Sequence, residues 1–126
     1  MEIRQEQDED WWEVEALYDL CFAPGREALS SYRLRDGVDP VAELCLMACD
    51  EDGTIGAAVR FWPVLIGLSP TLLLGPLATH PTRQGEGLAA VLIREGLARA
   101  RAADWTRVLL IGDLPYYERF GFQRLS

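Results

Sequence analysis

Two glycines two positions apart, followed by good helix formers, mark the segment Gln84-Gly85-Glu86-Gly87-Leu88-Ala89. The start of a helix offers free backbone N–H groups and a partial positive charge. Glycine lets the backbone approach a bulky anion in conformations closed to other residues. Together these features form a cradle for a pyrophosphate. The same spacing also serves a tight strand-to-helix turn, so the loop alone leaves both readings open. It is not a P-loop, because the Gly-Lys-Ser/Thr ending is absent, and it does not complete the GxGxxG fingerprint of a dinucleotide site.

Other reactive side chains are sparse. Cys21, Cys45 and Cys49 are odd in number and contain no CxxC pair, so they imply neither a disulfide framework nor a zinc site. Cys45 and Cys49 lie four apart in a predicted strand, share a face, and read as inert core residues. His80 is the one histidine. It has no partner ligands in sequence, and no metal is expected.

The elements that must carry the loop can be read from periodicity. A short edge strand is predicted over 2–7, followed by a helix from Asp8 or Asp10 to Phe22. On that helix Trp11, Val14, Leu17, Tyr18 and Cys21 recur at helical spacing, and Pro24-Gly25 ends it. A shorter helix is expected over about 25–35. Strands follow at 44–48 and 54–63, joined by the turn Glu51-Asp52-Gly53. Strand 72–79 is interrupted by Gly75-Pro76, which signals a bulge or a splay because proline has no N–H to give a sheet. A helix over 85–102 places Ala89, Ile93, Gly96, Leu97 and Ala100 on one face. Strand 107–111 and a short helix over 115–120 complete the pattern. The order is an α+β, or mixed α/β, sandwich with an antiparallel hairpin and one parallel crossover.

Size and charge narrow the function classes. The 126 residues fit a single domain, 1–126, and 49% are hydrophobic, as in a folded globular protein. No apolar run reaches the ~18 residues that span a bilayer, and Met1-Glu2-Ile3-Arg4 does not open a signal peptide. A cytoplasmic location without membrane contact is expected. The chain has 12 arginines, no lysine and 20 acids, for a net charge of −8. Residues 1–52 carry −11 and residues 53–126 carry +3. The negative total argues against nucleic acid, while the second half suits an anionic ligand and the first a cationic one.

Three ordered motifs then add specificity: Leu74-Gly75-Pro76-Leu77-Ala78-Thr79-His80-Pro81, Gln84-x-x-Gly87-x-Ala89, and Pro115-Tyr116-Tyr117-Glu118-Arg119-Phe120-Gly121-Phe122. The chain resembles the GNAT superfamily of acetyl-CoA-dependent N-acetyltransferases over residues 72–122. That resemblance implies a central mixed, mostly antiparallel sheet flanked by helices, with acetyl-CoA as co-substrate. It implies that the backbone of Gly85, Glu86, Gly87, Leu88 and Ala89, with Gln84, holds the pyrophosphate. The strand Leu77, Ala78 and Thr79 would pair with the pantetheine arm, and the Leu77 N–H would polarise the thioester carbonyl. Tyr117 matches the family's general acid, its phenol pKa of about 10 lying near that of a thiol. The bland alternative for Tyr117 is a core aromatic on a short helix, while Tyr116, Phe120 and Phe122 read as packing. The acceptor would be a small-molecule or peptide amine.

An attacking amine must be neutral, so a base or a water chain has to take a proton. The family often uses a strand carboxylate, and strand 72–79 has none. Glu43, Asp113 or water are the candidates, and His80 reads as a loop residue. The family usually has Arg or Lys where this chain has Glu86, which predicts weaker binding unless Arg83 compensates. Members also continue past Gly-Phe with another strand and usually a hairpin. The expectation is therefore a short sheet edge lacking that segment, and a homodimer. The alternative is an acetyl-CoA-binding sensor or subunit without catalysis.

Overall fold

A computed structural model describes residues 1–22, 37–110 and 114–123. The predicted helix over 25–35 and the candidate Asp113 lie outside the described residues. The elements are β1 (Glu2–Gln5), α1 (Trp11–Cys21), β2 (Leu46–Cys49), β3 (Ile55–Ile66), β4 (Ser69–Thr79), α2 (Leu88–Ala102), β5 (Val108–Leu109) and α3 (Leu114–Tyr117). The strands form one mixed sheet in the order β1-β2-β3-β4-β5. Its first three pairings are antiparallel, and β4 pairs with β5 in parallel through the α2 crossover.

Each sheet face receives one helix. Leu46, Ala48, Ala57, Val59, Phe61, Leu72 and Leu74 pack with Leu88, Leu92 and Ala100 of α2. Met47, Cys49, Ala58 and Ala78 pack with Val14, Leu17 and Tyr18 of α1 on the other face. Burying each large side chain contributes about 1.5–3 kcal/mol. Close approach of α2 depends on Gly96, where an added Cβ would stand 2.7 Å from the fully buried Phe61 ring. The core face of α2 is centred on Leu88, Leu92, Ile93, Gly96 and Ala100. Ala89 and Leu97, expected on that face, are half-buried at its rim.

Several boundaries differ from the sequence expectation, each for a local reason. Residues Ala42–Leu44 form a 3-10 turn ahead of β2, so Glu43 stands in that turn and not at a strand start. Cys45 follows it, donating its thiol to the Val41 carbonyl at 3.4 Å. β3 continues through Pro63 to Ile66 and returns by a two-residue turn at Gly67-Leu68, pairing Ile66 with Ser69. Pro63 is tolerated because its partner Leu72 directs its N–H to the Arg107 carbonyl, at 3.0 Å. The Pro63–Leu72 pair is thus non-hydrogen-bonded, and the missing N–H faces the side where β2 has already ended. α2 starts at Leu88, because Gly85 and Gly87 adopt φ of +86° and +78°, outside the helical region.

Candidate active site

The register of β3 against β4 carries the main feature of the site. Val59 pairs with Leu77 but Phe61 pairs with Leu74, so β4 has one extra residue opposite Arg60. This is a β-bulge at Gly75-Pro76, with Gly75 at φ +139°, a value that favours glycine. A bulge of one residue reverses which residues face which neighbour. Before it, Leu72 turns its N–H toward β5. After it, the His80 N–H donates to the Gly56 carbonyl at 2.8 Å, which makes Ala57–Thr79 a non-hydrogen-bonded pair. Alternation then directs the polar groups of Ala78 toward β3, and those of Leu77 and Thr79 away from it.

Among the described residues, no strand pairs on the side to which Leu77 and Thr79 present these groups. β5 pairs with β4 only at Leu72 and Leu73, whereas β4 runs on to Thr79. Two side chains reach the Thr79 carbonyl there, the Cys21 thiol at 3.3 Å and the Gln84 amide at 3.4 Å. The bulge carbonyls are held from the α1 face of the sheet. Trp62 Nε1 donates to the Gly75 carbonyl at 2.6 Å, and the Tyr18 hydroxyl donates to the Pro76 carbonyl at 2.9 Å.

From Thr79 the chain passes through a 3-10 turn, Pro81–Arg83, to the glycine loop. His80 caps that turn: its Nδ1 accepts from the Thr82 N–H at 3.2 Å and lies 2.8 Å from Thr82 Oγ1. Its side chain is therefore engaged in loop structure, as expected of a residue preceding Pro81. Gly87 is the N-cap of α2 in the left-handed conformation, with no capping side chain. The first-turn N–H groups of Leu88 and Ala89 consequently open toward the exposed loop. The Leu88 side chain is itself buried in the core.

Glu86 is paired in place. Arg83 Nε donates to Glu86 Oε2 at 2.8 Å and its Nη1 donates to Asp50 Oδ2 at 2.7 Å. These two hydrogen bonds, that to Glu86 first, raise the Arg83 guanidinium above its ordinary range. Asp50 was not singled out in the sequence. It follows β2, 33 positions from Arg83, and no spacing rule links them.

Tyr117 ends α3 with a half-buried ring. It meets Tyr116 edge-on at 5.0 Å and Phe122 at 6.0 Å. Tyr116 and Phe120 also face cations: Arg119 lies 4.6 Å from the first ring and Arg94 lies 5.2 Å from the second. Phe122 packs against the α2-side core. None of the three cysteines is disulfide-bonded. Burial raises the Cys45 thiol to about 11 and also raises Cys21 and Cys49, which keeps all three protonated at neutral pH. Among the described residues there is no group of three or more His, Cys, Asp or Glu that could hold a metal. No helix among them is long and apolar enough to cross a membrane.

The fold that carries these features has counterparts in solved proteins. The Acetyltransferase (GNAT) family description matches residues 11–122. The chain belongs to the GNAT family. It is 34% identical over 112 residues to the uncharacterized N-acetyltransferase YhbS of Escherichia coli (strain K12), covering 87% of this chain and 66% of that protein. It thus spans slightly under two thirds of the length of that curated relative. The crystal structure of YhbS in complex with CoA superposes with a TM-score of 0.82 at 32% identity, over 97% of this chain and 68% of that one. A GNAT family acetyltransferase from Brucella melitensis, in complex with acetyl-CoA, superposes at 0.77 with 36% identity, over 98% and 82% of the two chains. The five-stranded mixed sheet between helices is the GNAT fold.

Proposed function

We propose that this GNAT domain binds acetyl-CoA along the open edge of β4 and transfers the acetyl group directly to an amine. The observation that carries the reading is the bulge register, which turns the N–H groups of Leu77 and Thr79 to that edge, directly ahead of the glycine loop. An extended pantetheine arm can pair there as an added strand. The pyrophosphate then lies at the backbone of Gly85 to Ala89, where the first-turn N–H groups of Leu88 and Ala89 and the helix dipole favour an anion, with Gln84 and Thr79 at the junction. Similarity to proteins solved with CoA and acetyl-CoA supports the same ligand.

In the transfer, the amine nitrogen forms a bond to the thioester carbonyl carbon, and the carbon–sulfur bond breaks. The Leu77 N–H donates to the carbonyl oxygen as negative charge develops on it. Tyr117 gives its phenolic proton to the departing thiolate, and water removes the extra proton from the amine. Among the described residues β4 offers no carboxylate base, and Glu43 is exposed on the 3-10 turn before β2. The excess of acid in residues 1–52 favours an acceptor that arrives as a cation, a small-molecule or peptide amine.

The test is thermal stabilisation by acetyl-CoA, followed by CoA release with a panel of amines, for wild type and Tyr117→Phe. Saturation at 100 times the dissociation constant should stabilise the fold by ~2.7 kcal/mol. Tyr117→Phe should lower kcat by about 100-fold, with acetyl-CoA affinity unchanged. No stabilisation by acetyl-CoA would sink the reading. Binding with no turnover on any amine would leave a sensor or subunit in its place.

A further inference from the structure

We infer that Tyr18 and Trp62 are positioning residues for the thioester, acting through the Gly75 and Pro76 carbonyls to keep the Leu77 N–H on the open edge of β4. The inference rests on the proposed acetyl-CoA reading and adds the side chains that set its geometry. In a regular strand, consecutive carbonyls point to opposite neighbours. At this bulge the Gly75 and Pro76 carbonyls both accept from side chains on the α1 face, at 2.6 and 2.9 Å. Trp62 is 6% exposed and Tyr18 is fully buried, so both donors act where water competes poorly.

The two donors come from different elements, Trp62 from β3 and Tyr18 from α1, and they fix adjacent peptide groups. Without them, two carbonyls at the bulge lose hydrogen bonds, a loss that costs more than an exposed one would. Sliding β4 back into regular register returns the Gly75 carbonyl to β3 and leaves the Pro76 carbonyl on the edge, open to water. That slide also exchanges the roles of neighbouring residues, turning Leu77 toward β3 and Pro76, which has no N–H, toward the edge. The donor to the thioester oxygen would then be gone. Packing follows the same shift: Leu72 and Leu74 face α2 before the bulge, whereas Ala78 faces α1 after it.

The experiment uses the full chain with acetyl-CoA labelled with carbon-13 at the thioester carbonyl. Its infrared band and the affinities for acetyl-CoA and CoA are measured in wild type, Tyr18→Phe and Trp62→Phe. In wild type the bound carbonyl band should lie below its free-solution frequency. In each variant the band should return toward the free position, and acetyl-CoA affinity should fall about threefold to tenfold. Affinity for CoA, which shares the pantetheine arm but lacks the thioester carbonyl, should fall less than that for acetyl-CoA, and its retained binding certifies the fold. A residue that only supported the core would weaken both ligands alike. Tyr18→Phe keeps the buried ring, so it decides the matter by itself should Trp62→Phe fail to fold. A displaced wild-type band that persists in a folded variant overturns the positioning role alone. An undisplaced band in wild type with acetyl-CoA bound overturns the Leu77 reading, and the inference with it.

Discussion

Two arginines in this molecule do the same chemistry in different surroundings. Arg60 on β3 donates to both oxygens of Glu6 at 3.1 and 3.0 Å and to Glu15 at 2.5 Å, with its guanidinium 3.8 Å from the centre of the Trp11 ring. Arg83, before the glycine loop, holds Asp50 and Glu86 at 2.7 and 2.8 Å. The side chains of Arg60 and Glu6 are 2% and 6% exposed, against 21% for Arg83, 39% for Asp50 and 44% for Glu86. Burial works against the Arg60 cation, and its carboxylate partners, Glu6 foremost, more than offset it, so its pKa is raised. Burial therefore decides what each cluster is for. The Arg60 cluster ties the end of β1, α1 and β3 into one unit, whereas the Arg83 cluster stands in water, where exchanging a carboxylate for another anion costs little.

The sharpest way to break this comparison is to remove the buried cation. Arg60→Met should destabilise the fold by about 3–5 kcal/mol, because it strands the Glu6 carboxylate in the interior. Adding Glu6→Leu and Glu15→Leu should return most of that loss, since a buried ion cluster and an apolar one of similar volume are often close in stability. Urea unfolding of the single and triple variants measures both. A loss below about 1 kcal/mol for Arg60→Met, the range of an exposed pair, would put the two arginines in one class.

The contrast also marks what could be read from the sequence. α1, the β2–β3 hairpin and α2 follow from local periodicity, and the Gly75-Pro76 break announced the bulge because proline lacks an N–H. The glycine loop was visible for the same local reason. The Arg60 cluster was not, because Arg60 meets Glu6 and Glu15 across 54 and 45 positions; of the Arg83 cluster only the Glu86 half was, three positions along the chain. One trace existed: a lone charge inside the apolar run Ala57-Ala58-Val59-Arg60-Phe61-Trp62 demands a buried partner. Which N–H groups of β4 face the open edge depends on a one-residue register shift, and only the pairing with β3 fixes that. The start of α2 was misplaced by three residues because glycines that favour a ligand loop also pattern like a first helical turn.

On the exposed side, the informative substitution is Glu86→Arg. It removes the carboxylate from the α2 N-terminus, where the proposed pyrophosphate lies, and supplies a cation there. Acetyl-CoA affinity should rise about threefold to fivefold, the size of a surface charge near a helix terminus. Titration calorimetry at low and high salt checks it, because the gain should shrink as ionic strength screens the pair. Unchanged affinity at low salt would mean that Arg83 already neutralises Glu86 fully, or that the phosphates lie elsewhere. The affinity of Glu86→Gln separates the two: in the first case it frees Arg83 Nε for the phosphates and affinity rises, and in the second it matches wild type.

The smallest effect is expected at Asp50, the second anchor of Arg83. Asp50→Asn keeps the shape and removes one charge from a largely exposed cluster. Its urea midpoint should match wild type, and acetyl-CoA affinity should rise by less than about twofold. The direction matters more than the size: Asp50 holds Arg83 Nη1, so its removal can only help if that arginine turns to the proposed phosphates. A loss of affinity instead would show that Asp50 orients Arg83 for the ligand. The exposed cluster would then be as fixed in geometry as the buried one, and exposure alone would no longer separate the two.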